Sequence, residues 1–260
     1  MIAVILTDWL GYELTREKQL GRSGIRITVG AGPLLANMAR FSAGVPFVVI
    51  LALNDLDASS SSYSMVEDRA ASARQRWLRF AQQFPFVTRV QFRPNVDLDI
   101  GAYDHGLQLL RREKFEGDVL FMNSSLRGPS AHDWLARYHA LFHERADIGL
   151  CGLTLSAVRV IDGFPKRPHL QSTFLYTNMG VLQEVFPKGL YEGSLSSKQE
   201  AISHGEIAIS QAVLRHGYAL RCAAFPDFIY KLGDPWQIPL VYGWRAHLPE
   251  LAEKYANAIL

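Results

Sequence analysis

The stretch from residue 92 to residue 129 most constrains what this chain can fold into. Within it, the end of a strand-like run leads into a polar turn and a short helix. A second apolar run, 118–122, then leads into another polar turn. Strands that alternate with helices form parallel sheets, whose carboxyl ends meet along one edge. Polar residues at two successive strand ends therefore predict a binding site along that edge.

The same alternation extends through the first half of the chain. Apolar or alternating runs predict strands, and residues recurring every three or four positions predict the helices between them. The predicted strands are 2–6, 25–29, 47–53, 87–92 and 148–155, and the predicted helices include 33–43, 64–80 and 129–142. The near-continuous apolar run at 47–53 is typical of a strand covered on both faces by helices.

The second half is less regular. We predict a strand at 169–177, a mobile Gly- and Ser-rich segment at 187–199, a helix at 200–216 closed by Gly217, a strand at 218–224 and a final helix at 244–258. The chain is therefore expected to be an α/β protein of one domain, 1–260. Its mostly parallel, Rossmann-like central sheet has helices on both faces, with a nucleotide-binding half at about 25–130 and a catalytic half at about 131–260.

Composition excludes several classes of protein. The 260 residues are 48% hydrophobic, enough for a large core, and 27 basic residues balance 25 acidic ones. A net charge of +2 does not favour a nucleic-acid binder. Cys151 and Cys222 lie in apolar runs, so we expect buried free thiols. We find no Cys/His spacing typical of a metal site, and no apolar run reaches the roughly 18 residues of a membrane span.

The polar turns carry the candidate binding residues. Asn95, Asp97 and Asp99 follow one strand, and Asn123 and Ser125 follow the next. Carboxylates accept hydrogen bonds from ribose or base donors, and an asparagine both donates and accepts. Asn and Asp also cap helices, but three at alternating positions exceed what one cap requires. The pattern favours a nucleotide sugar as ligand.

A glycine turn offers an alternative. Gly30-Ala31-Gly32, followed by Ala36, stands between a predicted strand and a helix, and Asp55 follows the next strand. This pattern loosely imitates the dinucleotide fingerprint of an NAD(P)-dependent oxidoreductase. Pro33 removes an amide where amides would face the pyrophosphate. An ordinary glycine turn into a helix is the favoured interpretation.

Three segments resemble one family, the rhamnan-synthesis-type glycosyltransferases. NVDLDIGAYDHGL resembles its Asn-Val-Gly-x-Asp-x-Gly-Ala-aromatic signature, although Asp97 stands where that family has glycine. LFMNSSLRGP resembles its Asn-Asp-Ser strand exit, with Ser124 replacing the Asp, and HLQSTFL resembles its His-x-Gln-Ser segment. The resemblance spans roughly residues 30–220, and three motifs in order are more specific than one.

The resemblance implies a GT-A-type fold and an inverting transfer of a hexose from a nucleotide sugar. Asn95, Asp97 and Asp99 would bind the nucleoside, and Asn123 and Ser125 would lie along the diphosphate. The sugars would be held by His169, Gln171 and Ser172. Glu206, in a segment that resembles the acid-bearing helix of inverting enzymes, would be the general base.

The resemblance also implies the partners. They would be a nucleotide-sugar donor and a glycan or lipid-linked glycan acceptor in cell-surface polysaccharide assembly, in the cytoplasm and with at most peripheral contact to the inner face of the membrane. No nucleic acid and no organic cofactor are expected. Because Asn123-Ser124-Ser125 has no carboxylate, we expect weak or absent dependence on Mg²⁺ or Mn²⁺, with Asp97, Asp227 or Asp234 as substitute ligands. The missing acid leaves a catalytically silent glycan-binding domain as another alternative.

Overall fold

The computed structural model describes residues 1–19, 26–56 and 63–238. Its strands are β1 (Ile2–Trp9), β2 (Arg16–Gln19), β3 (Arg26–Val29), β4 (Phe47–Asn54), β5 (Val87–Arg93), β6 (Asp118–Asn123), β7 (Ile148–Gly152), β8 (Leu155–Ser156), β9 (Arg159–Ile161), β10 (Phe164–Lys166), β11 (His169–Leu170), β12 (Phe174–Asn178), β13 (Ala219–Cys222) and β14 (Phe225–Tyr230). Its helices are α1 (Ala31–Arg40), α2 (Tyr63–Ala81), α3 (Leu98–Arg112), α4 (Trp134–His143), α5 (Met179–Val185), α6 (Lys198–Glu200) and α7 (Ile207–Arg215), with a π-helical turn, Ala201–Glu206, between α6 and α7.

Eight of these strands form one central sheet in the order β14-β13-β7-β12-β6-β1-β4-β5. β12 pairs antiparallel with both β6 and β7, and β14 pairs antiparallel with β13, while the remaining pairs are parallel. The sheet is therefore mixed but mostly parallel, which confirms the predicted α/β class. The buried side chains form one continuous hydrophobic cluster around it.

β1 is the centre of this core. Every residue from Ile2 to Asp8 is buried, and successive side chains of a strand point to opposite faces, so both faces of the sheet are covered here. On one face α3 approaches closely, because a Cβ added at Gly106 would lie 2.6 Å from Ile5 Cγ2. Each large apolar side chain buried this way contributes about 1.5–3 kcal/mol.

Two predicted strands are placed differently. The run predicted at 25–29 pairs with β2 as β3 in a separate hairpin, outside the central sheet. Alternation identifies a strand but does not identify its partner. The strand predicted at 169–177 is two strands, because β11 pairs with β8 and β12 enters the central sheet. The turn between them, 171–173, holds two of the candidate site residues.

Among the helices, the prediction for 200–216 is confirmed, with Gly217 at a positive φ of 86° directly after the helix. The helix predicted from Pro129 begins instead at Trp134, after Asp133 in a left-handed conformation. The segment 187–199, expected to be mobile, is tied to α3 by a hydrogen bond from the Leu190 amide to Asp104 Oδ1 at 2.8 Å, and to Asp97, directly before α3, by bonds described below. The serine run at 59–62 and the helix predicted at 244–258 lie outside the described residues.

Two smaller expectations concern the cysteines and the membrane. Cys151 and Cys222 are both buried and free, as predicted, and burial raises the pKa of the Cys222 thiol to about 11. Among the described residues, no helix combines the length and the apolar character needed to cross a bilayer.

Candidate active site

Several of the candidate site residues meet at one edge of the central sheet. β1, β4, β5 and β6 all run in the same direction and end at this edge. Because β12 runs the opposite way, its first residues and the turn before it reach the same edge. The edge therefore combines four strand ends with the 171–173 segment, as the sequence motifs require.

Asp99 and Asn123 form a direct pair there. Asn123 Nδ2 donates to Asp99 Oδ2 at 2.9 Å, and Asn123 Oδ1 accepts from the Ser125 amide at 3.1 Å. The two partners together fix the orientation of the Asn123 amide. Burial raises the pKa of Asp99, and the nearby charge of Asp8 raises it further, against the bond from Asn123.

A third member of this group, Asp8, was not anticipated from the sequence. Its carboxylate is almost fully buried at the end of β1, and burial raises its pKa above the ordinary value. Arg16 Nη1 lies 3.5 Å from the Asp8 oxygens, and Arg16 Nη2 donates to Ser124 Oγ at 2.8 Å. The guanidinium also stacks over the Tyr12 ring, 4.2 Å from its centroid. A cation therefore lies beside Ser124, at the position where the family that this sequence resembles has an acid.

Glu206 is held at the same edge by the turn before β12. Its Oε2 accepts from the Ser172 amide at 2.7 Å and from Ser172 Oγ at 2.8 Å. Only 13% of the Glu206 side chain is exposed. A carboxylate that accepts two hydrogen bonds and keeps an oxygen free of them is well oriented to receive a proton from a third group.

His169 faces that remaining oxygen. The ring is fully buried, its Nδ1 lies 2.8 Å from the Arg167 carbonyl oxygen, and its Nε2 lies 3.8 Å from Glu206 Oε1. A carbonyl oxygen only accepts, so Nδ1 carries a proton. Nε2 has no hydrogen-bond partner, and in the doubly protonated ring it would point a second N–H toward the Glu206 carboxylate.

Tyr103 connects the two groups. Its hydroxyl donates to the Ser172 carbonyl oxygen at 2.9 Å from a fully buried position on α3. Burial raises the pKa of Tyr103 well above its usual value, and the charges of Asp99 and Glu206 add to that rise. One carboxylate from each group, Asp99 and Glu206, therefore lies close enough to the Tyr103 hydroxyl to raise its pKa.

The π-helical turn that ends at Glu206 packs against α3. Gly205 lies against Ile100, since an added Cβ would come within 2.7 Å of Ile100 Cγ1. Turns of this kind insert one extra residue into a helix and are frequent at functional sites. Gly205 thus packs closely against α3 directly before Glu206, which accepts from Ser172.

The remaining predicted residues have other partners or looser positions. Asp97 precedes α3 and binds the 187–199 segment instead of the sheet edge: its Oδ1 accepts from the Leu195 amide at 2.7 Å and its Oδ2 from the Tyr191 hydroxyl at 2.6 Å. These hydrogen bonds lower the pKa of Asp97 although partial burial opposes them. Asn95 and Gln171 are half-buried, in the turns before α3 and before β12.

The glycine turn has a structural explanation. The Gly30 amide donates to the Ser124 carbonyl oxygen at 2.9 Å, and the Gly32 amide donates to the Leu14 carbonyl oxygen at 2.7 Å. A Cβ on either glycine would collide with the Leu14 carbonyl oxygen. Asp55 forms an ion pair with Arg74. These amides are engaged by the protein itself, so the geometry adds no support for a dinucleotide site.

Metal-ligating side chains gather at the opposite edge of the sheet. Asp118, His139 and His143 have ligand atoms within 4.8 Å of one another. The expectation that no His spacing suits a metal site is therefore corrected, because His139 and His143 lie four residues apart and share one helix face. Of the predicted substitute ligands, Asp227 is exposed on β14 and Asp234 accepts from the Lys231 amide in its own turn. Neither belongs to a group of three metal-ligating side chains among the described residues.

No protein-family model and no curated protein sequence matches the chain. The function must therefore be inferred from the site itself.

Proposed function

We propose that this protein is a GT-A-type glycosyltransferase that transfers a hexose, with inversion, from a nucleotide sugar to a glycan acceptor in cell-surface polysaccharide assembly. One observation carries the proposal. Residues from four separate segments of the sequence converge on one sheet edge as two bonded groups, Asp99 with Asn123 and Glu206 with Ser172. A transferase needs both a donor-binding group and a base within reach of one substrate pair.

The donor would be bound by the first group. Asp99 accepts from ribose or base hydroxyl and amine donors, and Asn123 holds the carboxylate in place. Arg16, bonded to Ser124, supplies positive charge where the diphosphate leaves. A fixed cation and nearby amides stabilise developing negative charge without a metal ion, because they need no reorganisation during the reaction.

The second group would carry out the chemistry. Glu206 takes the proton of the acceptor hydroxyl while that oxygen attacks the anomeric carbon, and the bond from the carbon to the diphosphate oxygen breaks with its electrons. The nucleoside diphosphate departs toward Arg16. Ser172 orients Glu206 through two hydrogen bonds, and His169 stands on its other side.

Thermal denaturation with a panel of nucleotides tests donor binding first. We expect UDP, GDP or dTDP to raise the melting temperature, with NADH and NADPH giving no shift. Mass spectrometry of each nucleotide sugar after incubation then tests turnover, since glycosyltransferases hydrolyse their donors slowly without acceptor. Stabilisation without hydrolysis or transfer would favour the silent glycan-binding alternative, and an NADH shift alone would favour the oxidoreductase.

A further inference from the structure

A cluster of three side chains lies where β6 begins, at the edge of the sheet opposite the candidate active site. We propose that Asp118, His139 and His143 bind one Zn²⁺ or a chemically similar divalent transition-metal ion. The ion would fasten α4 to β6. This site is independent of the proposed transferase activity, and its test does not require turnover.

The spacing of the ligand atoms suits such an ion. His139 Nδ1 lies 2.9 Å and His143 Nε2 lies 2.7 Å from the same oxygen, Asp118 Oδ2. In a tetrahedral site with bonds of about 2.0 Å the ligand atoms stand about 3.3 Å apart. Each nitrogen therefore has to move outward by only about half an ångström to admit the ion, which small rotations of two surface rings provide.

Two imidazoles and one carboxylate select the kind of ion. Imidazole nitrogens suit Zn²⁺, Co²⁺, Ni²⁺ and Cu²⁺, while Mg²⁺ and Ca²⁺ require mostly oxygen ligands. A site with three protein ligands leaves one tetrahedral position for water. About two fifths of each histidine side chain is exposed, against 9% of the Asp118 side chain, so that position opens to solvent.

Hydrogen bonding alone accounts poorly for the cluster. Tyr176 Oη donates to Asp118 Oδ2 at 2.7 Å and also lies 3.0 Å from His139 Nδ1, so three polar groups converge on one oxygen. A carboxylate oxygen offers about two lone-pair sites. A metal ion removes this crowding, because it replaces two N–H protons with one centre that both nitrogens and the oxygen face.

The surrounding packing holds the ligands ready. His139 and His143 project from the same face of α4, with ring centroids 4.4 Å apart. Phe142 contacts the His143 ring edge-on and also packs on Tyr176 of β12. Asp118 is fixed in the sheet, since β6 lies between β1 and β12. The bound ion would thus join α4 to β6 through one carboxylate.

The site lies far from the proposed chemistry. Asp118 begins β6 and Asn123 ends it, so the two residues are about 17 Å apart at roughly 3.3 Å per residue. An ion at Asp118 is therefore not positioned to touch a substrate at the Asn123 edge. Its expected effect is on stability, as for a structural metal site.

Metal titration of untagged, chelator-treated protein is the direct test. We expect Co²⁺ to give the intense visible absorption of a four-coordinate ion, and calorimetry to give one Zn²⁺ per chain. With Zn²⁺ at 100 times its dissociation constant, the melting temperature should rise by about 5–10 °C, while Mg²⁺ at the same concentration should have no effect.

Variants separate this site from adventitious binding. The double change His139→Gln and His143→Gln keeps polar side chains at two surface positions and should abolish both the Co²⁺ absorption and the Zn²⁺ shift. His216→Gln, on an exposed histidine after α7, is the matched control and should retain both. Absence of Zn²⁺ binding in the wild-type protein, or an equal response in the double variant, would overturn the proposal.

Discussion

Two aspartates at opposite edges of the sheet, Asp118 buried and Asp99 half-buried, show how differently one side chain can be used. Asp118 accepts from Tyr176 and lies against two histidines, all directed at a single oxygen. Asp99 accepts from Asn123 and has a second carboxylate, Asp8, near enough to raise its pKa. Three polar groups surround one oxygen of Asp118, whereas a second carboxylate lies near Asp99.

The difference indicates which kind of ligand each edge of the sheet can bind. Around Asp99 and Asp8 the protein holds acceptors that burial destabilises in their charged form, and a ligand that supplies hydroxyl or amine donors relieves that cost. Around Asp118 two ring nitrogens and a tyrosine hydroxyl are already present. The favourable change there would be the replacement of protons on the ring nitrogens by a metal ion. Five predictions test this contrast, from the largest expected effect to the smallest.

Glu206→Gln should lower turnover by about 100- to 10,000-fold, because the amide cannot accept the acceptor proton. The amide oxygen still accepts from Ser172, so we expect the fold and the nucleotide affinity to be preserved. Steady-state kinetics with a responsive donor measures the loss. His204→Gln, an exposed change in the same π-helical turn, is the control. Equal activity in the two variants would remove Glu206 from the mechanism.

Asp99→Ala should weaken nucleotide binding by about ten- to a hundredfold, since a hydrogen bond to a charged group contributes about 1.5–3 kcal/mol. Asp99→Asn keeps an acceptor for Asn123 and should lose less. Calorimetric titration with the stabilising nucleotide measures both. If both variants bind as tightly as the wild type, Asp99 serves only to position Asn123.

Chelation of metal ions should lower the stability that depends on the Asp118 edge and leave turnover at the Asp99 edge nearly unchanged. We expect EDTA to lower the melting temperature of zinc-loaded protein by about 5–10 °C. Turnover well below that temperature should change less than twofold, because Arg16 meets the diphosphate charge instead of a metal ion. Complete loss of turnover with rescue by Mn²⁺ would place a metal at the donor edge and contradict the contrast.

Asp97→Asn should reduce the free energy of unfolding by about 1 kcal/mol, because it weakens the charge-assisted bonds to Tyr191 and to the Leu195 amide. Nucleotide affinity should stay within threefold of the wild type, unlike in Asp99→Ala. Urea unfolding and calorimetry measure the two quantities. A tenfold loss of affinity would restore Asp97 to the nucleoside site.

Asp8→Asn should stabilise the protein at neutral pH. Burial raises the pKa of Asp8 above 3.8 in the folded state, so the folded protein binds this proton more tightly than the unfolded chain. Stability is then lost as the pH rises from 3.8 through the folded pKa. The variant should unfold at higher urea than the wild type at pH 7, and the difference should disappear in acid. A lower midpoint at pH 7 would mean that the Arg16 pairing outweighs burial.

Much of the fold was predictable because its strongest signals are local. The apolar runs that became β4 and β6 are covered on both sides, so they lack polar interruptions and are easily recognised. The position of β3 was not predictable, since four alternating residues fit a hairpin as well as a central sheet. Nor did alternation over 169–177 reveal the turn at 171–173 that divides two strands.

The site was predictable only where a motif named it. Asn123, Asp99, Ser172 and Glu206 carried a recognisable pattern, and the structure brings them into two bonded pairs. Asp8 and Arg16 carried none, because an acid at a strand end and an arginine in a charged hairpin are ordinary residues until the fold places them together.

The cluster of Asp118 with His139 and His143 could not be predicted from the sequence for a related reason. Asp118 lies in a different element from the two histidines, 21 and 25 residues away in the sequence. The spacing of His139 and His143 is visible in the sequence, but only the packing of α4 on the sheet brings Asp118, the third residue of the proposed site, next to them.

The antiparallel strand β12 has a consequence for how the chain is made. β12 lies between β6 and β7 in the sheet. One edge of β6, a strand that is buried in the folded protein, therefore stays unpaired until residue 178 has left the ribosome. At about 5–20 residues per second, synthesis from Asn123 to Asn178 takes about 3–11 s. During that time the apolar β6 can pair with another nascent chain. We expect chains that stop before β12 to aggregate and chains that include it to remain dispersed.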